Sequence, residues 1–161
     1  MIFPSEMMAL AQRLLENAKA KGEMIARAES CTSGLIAALL TEIPGSSKVF
    51  ERGFLTYSDE AKIEMLGVRP KTLADHGAVS REVAAEMAEG ALLYSHAHMA
   101  LSVTGIAGPE GGSLDKPVGT VWFGLAGKGL ETKTFLKEFG EQSREHIRMA
   151  AVSFGLEILK G

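Results

Sequence analysis

The chain is poor in the residues that would tie it to several common classes of function. Its one cysteine, Cys31, cannot close an intramolecular disulfide, so a packed core must hold the fold. No apolar run approaches the roughly 18 residues needed to span a bilayer. The 17 basic and 20 acidic residues are interspersed and leave a net charge of −3. There is no basic block, which argues against a nucleic-acid partner and a polybasic membrane anchor and in favour of a small-molecule partner. Charges run through residues 1–21, so no secretory segment is read there, and a cytoplasmic location is expected. Gly-x-Ser-x-Gly is missing, and no histidine lies beside a strand-end turn, which weighs against a Ser-His-Asp triad. Only His96 and His98 are closely spaced, at a helix-to-strand junction where a solvated loop is the plainer reading; no metal and no organic cofactor are expected.

What the sequence does contain is organised around Met24 to Leu40. An apolar run from Met24 to Ala28 stops at small polar residues, and a helical apolar pattern resumes at Leu35, so a strand, a tight turn and a helix are predicted. In α/β proteins such a turn lies at the carboxyl edge of the sheet, where the first amides of the helix are expected to be free for an anion. Ser30, Cys31, Thr32 and Ser33 fall on it.

Before this unit, Ser5 is expected to cap a helix that Gly22 closes. After it, Ile43-Pro44-Gly45 ends the central helix and Ser46 and Ser47 start a short turn. A second strand is expected over 53–57, followed by a helix capped by Ser58 or Asp59 and a short helical turn from Pro70 to Gly77. A longer helix starts at Ser80, and a third strand over 98–104 enters the glycine-rich segment Gly105 to Ser113, whose amides could wrap a phosphate or ribose. Strands over 118–126 and 130–139 form a hairpin, and a last helix runs from about Glu141 to Lys160. The length suits one domain, 1–161, of α/β class: a three-layer α/β/α arrangement with a mixed sheet, helices on both faces and a C-terminal β-hairpin. Apolar faces on the first and last helices exceed what one sheet obviously covers, so a homodimer is expected.

Two nucleophiles can be weighed. Cys31 at a helix start could have a depressed pKa, although a small buried residue packing the turn is the plainer reading. Ser30 could instead be activated by Lys62, in the first turn of the next helix, if burial strips that lysine of its proton, with Tyr57 near enough to hydrogen-bond either group. From spacing alone, Ser30 as a cap, Lys62 as a solvated lysine and Tyr57 as a rim aromatic are the favoured reading. Glu29 is a possible second base, but strand alternation turns it to the other face from Ser30.

Six separated blocks bear on that choice: Ala28-Glu29-Ser30-Cys31-Thr32-Ser33-Gly34, Gly45-Ser46-Ser47, Gly53 through Lys62, Gly77-Ala78-Val79-Ser80, Gly105-Ile106-Ala107-Gly108-Pro109 and Lys116 through Val121. Together, in this order, they resemble the CinA C-terminal domain family, whose characterised members are nicotinamide mononucleotide deamidases. The resemblance implies hydrolysis of the nicotinamide carboxamide to nicotinate mononucleotide and ammonia, with Ser30 as nucleophile, Lys62 as general base and Tyr57 assisting. It also implies substrate contacts from Thr32, Gly45, Ser46, Thr104, Gly105, Gly108 and Arg144, with Arg144 suited to a phosphate. Amides near Gly45-Ser46-Ser47, or at the helix start after Ser30, are expected to hold the oxyanion. The family commonly has two glycines after Thr32. Here the first is Ser33, which puts substrate fit at issue. The alternative is a nucleotide-binding or regulatory module, associated with competence or DNA repair, that keeps the pocket without catalysis.

Overall fold

The computed structural model describes residues 2–161. Five strands, β1 (Ile25–Glu29), β2 (Phe50–Leu55), β3 (Met99–Gly105), β4 (Thr120–Gly127) and β5 (Lys133–Glu138), form one sheet in the order β2-β1-β3-β4-β5. β1 lies parallel to both β2 and β3, whereas β3–β4 and β4–β5 are antiparallel. Six helices cover the sheet: α1 (Ser5–Lys21), α2 (Leu35–Thr41), α3 (Asp59–Leu66), α4 (Pro70–His76), α5 (Arg81–Leu93) and α6 (Arg144–Lys160). The three-layer α/β/α architecture with a mixed sheet and a late hairpin is as the sequence predicts.

Strand alternation divides the core in two. Ile25, Leu101, Val103, Val121 and Phe123 pack with α1, α2 and α6 on one face, while Ala26, Ala28 and Ala100 pack with Leu66, Val83 and Met87 on the other. α1 buries Leu10, Leu14 and Ala18 and packs on α6 and α2. The apolar faces of α1 and α6 meet each other, with Met8, Met149, Phe154 and Leu159 partly buried at their margins.

Several boundaries differ from the sequence reading. Ser5 is the first residue of α1 rather than its cap; Pro4 holds that position and no side chain caps the helix. β2 runs from Phe50 to Leu55 and not over 53–57; its polar first residues still pair with β1, Phe50 opposite Ile25 and Arg52 opposite Ala26, across a register irregularity. Ser58 does cap α3, accepting the Ala61 N–H at 3.0 Å, and Ser143 caps α6 by accepting from His146. His98 Nδ1 accepts the Met24 N–H at 2.9 Å.

The topology leaves a crevice at the carboxyl end of β1. From β1 the chain crosses by α2 on one face to reach β2; from β2 it returns by α3, α4 and α5 on the other face to reach β3, on the opposite side of β1. Ligands commonly bind at such a switch point. Close packing sets α3 in place there, since a Cβ on Gly90 of α5 would lie 2.0 Å from the Leu66 carbonyl at the end of α3.

Candidate active site

Ser30 leaves β1 with its N–H bonded to the Val103 carbonyl at 3.0 Å, a continuation of the parallel ladder beyond the strand. The residue is 8% exposed. On the next element, Lys62 lies in the first turn of α3 and is 1% exposed. Its Nζ contacts Ser30 Oγ at 3.0 Å, the Thr56 carbonyl at 2.9 Å and the Tyr57 carbonyl at 3.0 Å. Two carbonyls accept two of its N–H bonds, so the remaining tetrahedral position of the amine is aimed at the serine. When the amine is neutral, its lone pair occupies that position and the Ser30 O–H donates to it. Burial lowers the Lys62 pKa below 10.5 by penalising its charged form, an effect that nearby Asp59 opposes.

The cleft over this pair has a volume of about 290 Å³ and is lined by Ser30, Cys31, Tyr57, Lys62, Thr104 and the loop from Gly105 to Gly111. Arg144 closes one side. Its Nη1 donates to the Gly108 carbonyl at 2.7 Å and its Nη2 to the Tyr57 hydroxyl at 3.3 Å. Thr104 Oγ1 donates to the Ala78 carbonyl at 2.9 Å, so the residue lines the wall with its hydroxyl already engaged. A larger groove of about 600 Å³, lined among others by Arg69, Thr72 and Glu86, runs outside α3, α4 and α5 and reaches none of these groups.

Ser30, Lys62, Tyr57, Thr104, Gly105, Gly108 and Arg144 therefore share one cleft, but three expectations need revision. Tyr57 is 65% exposed, and its phenol meets Arg144 rather than Ser30 or Lys62; its link to the lysine is through the main-chain carbonyl. Thr32 is fully buried, and its hydroxyl donates to Glu29 instead of opening to the cleft. Gly45 and Ser46 lie at the opposite edge of the sheet, because the 3₁₀ turn Ser46–Lys48 leads straight into the Val49 carbonyl that accepts the N–H of Ile25, the first residue of β1. The chain does not bring them to Ser30.

The first amides of α2 are not free either. Glu29 accepts the N–H groups of Gly34 and Ile36 at 3.1 Å and of Ala37 at 3.2 Å. Leu35 donates to the Thr32 carbonyl. Among the described residues, the amides of Cys31 and Thr32 are the ones after Ser30 that meet no acceptor on another residue. Sequence reasoning missed Arg148, whose Nε donates to the Cys31 carbonyl at 3.0 Å. It stands one helical turn after Arg144, a spacing that puts both guanidiniums on one face of α6.

Burial pushes the Cys31 thiol up to about 12, so it stays protonated and poorly nucleophilic. Cys31→Ala is expected to keep kcat within about threefold of wild type. Steady-state assays of the purified variant check this, and a loss beyond tenfold would return the cysteine to consideration. Ser33 is exposed and adopts a φ of 46°, a left-handed conformation that disfavours any side chain, and it does not line the cleft. Ser33→Gly is expected to stabilise the fold by roughly 0.5–1 kcal/mol with little change in KM. Denaturant unfolding beside Michaelis kinetics would show this, and an unchanged or lower midpoint would contradict it.

The fold and the cleft define a three-layer α/β protein that carries a buried hydroxyl–amine pair at the switch point of its sheet. Residues 7–161 match the family model of the CinA C-terminal domain, and the chain belongs to that family. It is 49% identical over 158 residues to the nicotinamide-nucleotide amidohydrolase PncC of Escherichia coli K12, covering 96% of this chain and 93% of that one. The PncC of Shigella flexneri is 50% identical over 155 residues with the same coverage. Among solved structures, the competence/damage inducible protein CihA of Agrobacterium tumefaciens superposes with a TM-score of 0.96 at 47% identity, covering 99% of this chain and 96% of that one.

Proposed function

We propose that this protein is a nicotinamide-nucleotide amidase, hydrolysing nicotinamide mononucleotide to nicotinate mononucleotide and ammonia. The observation that carries the reading is the 3.0 Å approach of Lys62 Nζ to Ser30 Oγ in a buried setting, supported by the two PncC relatives near 50% identity. Neutral Lys62 takes the Ser30 proton as Oγ bonds to the carboxamide carbon. Collapse of the tetrahedral species breaks the C–N bond, and the nitrogen leaves as ammonia with the proton returned by Lys62. Water then attacks the acyl-enzyme, giving its proton to Lys62; cleavage of the ester frees the carboxylate and restores the serine.

Of the two unpartnered amides, that of Cys31 belongs to a residue lining the cleft and is the donor assigned to the oxyanion, and one such donor typically contributes about 3 kcal/mol to transition-state stabilisation. Arg144 suits the phosphate, because its two nitrogens can exchange the Gly108 carbonyl and the Tyr57 hydroxyl for phosphate oxygens. Tyr57 serves chiefly at the mouth of the cleft, beside Arg144. Incubation of purified protein with nicotinamide mononucleotide is expected to release ammonia and nicotinate mononucleotide in equal amounts, with a chelator present as without. Saturable binding without turnover would favour a regulatory module in its place.

A further inference from the structure

We infer that Glu29 is a positioning residue that holds the turn carrying the nucleophile in its reactive shape; the inference rests on the serine-nucleophile reading of Ser30. Glu29 ends β1, is fully buried, and does not line the cleft. Its carboxylate nevertheless touches the turn from both ends. Besides the amides of Gly34, Ile36 and Ala37, it accepts the Thr32 hydroxyl at 2.6 Å. The cap position of α2 is Gly34, which has no side chain to offer, so a strand residue five positions earlier does the capping.

This arrangement joins two rigid bodies. Glu29 is fixed in the sheet, where its carbonyl accepts the Thr56 N–H at 3.1 Å and its backbone pairs with Leu55 and Val103. Its side chain is bonded to the first turn of α2. Residues 30–33 must span the gap between them and bow outward, which presents Ser30 to Lys62 and leaves the Cys31 and Thr32 amides without acceptors. Arg148 holds the outer side of the bow by the Cys31 carbonyl.

Arg27 keeps the carboxylate turned to α2. Its Nε lies 2.7 Å from Glu29 Oε2, although the N–H is not aligned as a hydrogen bond, and its guanidinium fills space that exists only because Gly53 has no Cβ. A carboxylate so enclosed does not reach the substrate. Its work is done through the backbone it fixes.

Glu29→Gln preserves shape but places an NH₂ where the carboxylate faces an N–H donor or Arg27. Three measurements on the folded full chain test the idea: kcat and KM with nicotinamide mononucleotide, the rate at which a fluorophosphonate probe labels Ser30, and the pH dependence of kcat. The kcat and the labelling rate are each expected to fall roughly 10- to 100-fold, with KM within about threefold and the pH profile unshifted, as a misplaced nucleophile predicts. A lower unfolding temperature with both rates unchanged would make Glu29 merely structural and overturn the proposal. Loss of a limb of the pH profile would overturn it in favour of direct proton transfer. Should Glu29→Gln fail to fold, Thr32→Val removes only the 2.6 Å bond, and about a three- to tenfold fall in the same two rates is expected, with no fall overturning the proposal. A wild-type chain that labels at Ser30 yet leaves the nucleotide intact would refute the amidase reading alone, since labelling still tests the positioning role.

Discussion

Ser30→Ala is expected to lower kcat for nicotinamide mononucleotide by roughly 10⁴-fold or more while leaving the dissociation constant of the nucleotide within about threefold of wild type. The asymmetry follows from where the oxygen sits. Ser30 Oγ is engaged by Lys62 in the resting protein and contributes a small fraction of the cleft wall, so its loss removes the bond-forming atom and little contact area. The phosphate end of the substrate would still meet Arg144, and the Cys31 and Thr32 amides would still be in place. A stopped assay for ammonia beside calorimetric titration separates the two quantities. Substantial turnover by Ser30→Ala would mean that water attacks directly, and weakened binding with kcat retained would make the serine a contact and not a nucleophile.

The sequence makes the fold legible because each element announces itself locally. Pro44 and Gly45 follow the end of α2, Ser58 caps α3, and the small residues after Glu29 break β1 where the sheet ends. Convergence of Ser30 with Lys62 is a different kind of fact. It depends on β1 and β2 being adjacent and parallel, which brings both carboxyl ends to one edge, and neither segment encodes that by itself. The family resemblance supplied it. The same argument explains Gly45 and Ser46: a glycine-serine turn resembles an anion-binding loop in any sequence, yet α2 carries the chain across the whole sheet before that turn is made. The bond between Thr32 and Glu29 is not legible in the sequence for a related reason. Alternation correctly turned Glu29 away from Ser30, but the need of α2 for a cap, with glycine at its own cap position, became visible only once the helix start was placed.

Lys62→Met should lower kcat by roughly 10²- to 10⁴-fold with KM little changed. Methionine has similar length and no proton to exchange, and at 1% exposure Lys62 reaches the substrate chiefly through Ser30, so ground-state binding has little to lose. The wild-type pH profile gives a second reading of the same group. A lysine acting as base must be neutral, so kcat rises with pH through the folded pKa of Lys62. Burial places that limb below 10.5 despite the opposing charge of Asp59. Lys62→Arg, whose guanidinium stays protonated, is expected to be inactive across the range. Stability carries the matching signature. Between the lowered folded pKa and the ordinary value near 10.5, the unfolded chain binds the proton that the folded chain has released, so the unfolding free energy of wild type rises with pH through that window relative to Lys62→Met. Three outcomes would contradict the assignment: an unchanged kcat in Lys62→Met, a limb at or above 10.5, or parallel stability curves for the two proteins. The first would mean that turnover does not need the amine at all, and either of the others that Lys62 keeps its proton in the folded state, where it would act as a fixed donor to Ser30 and leave the serine without a base.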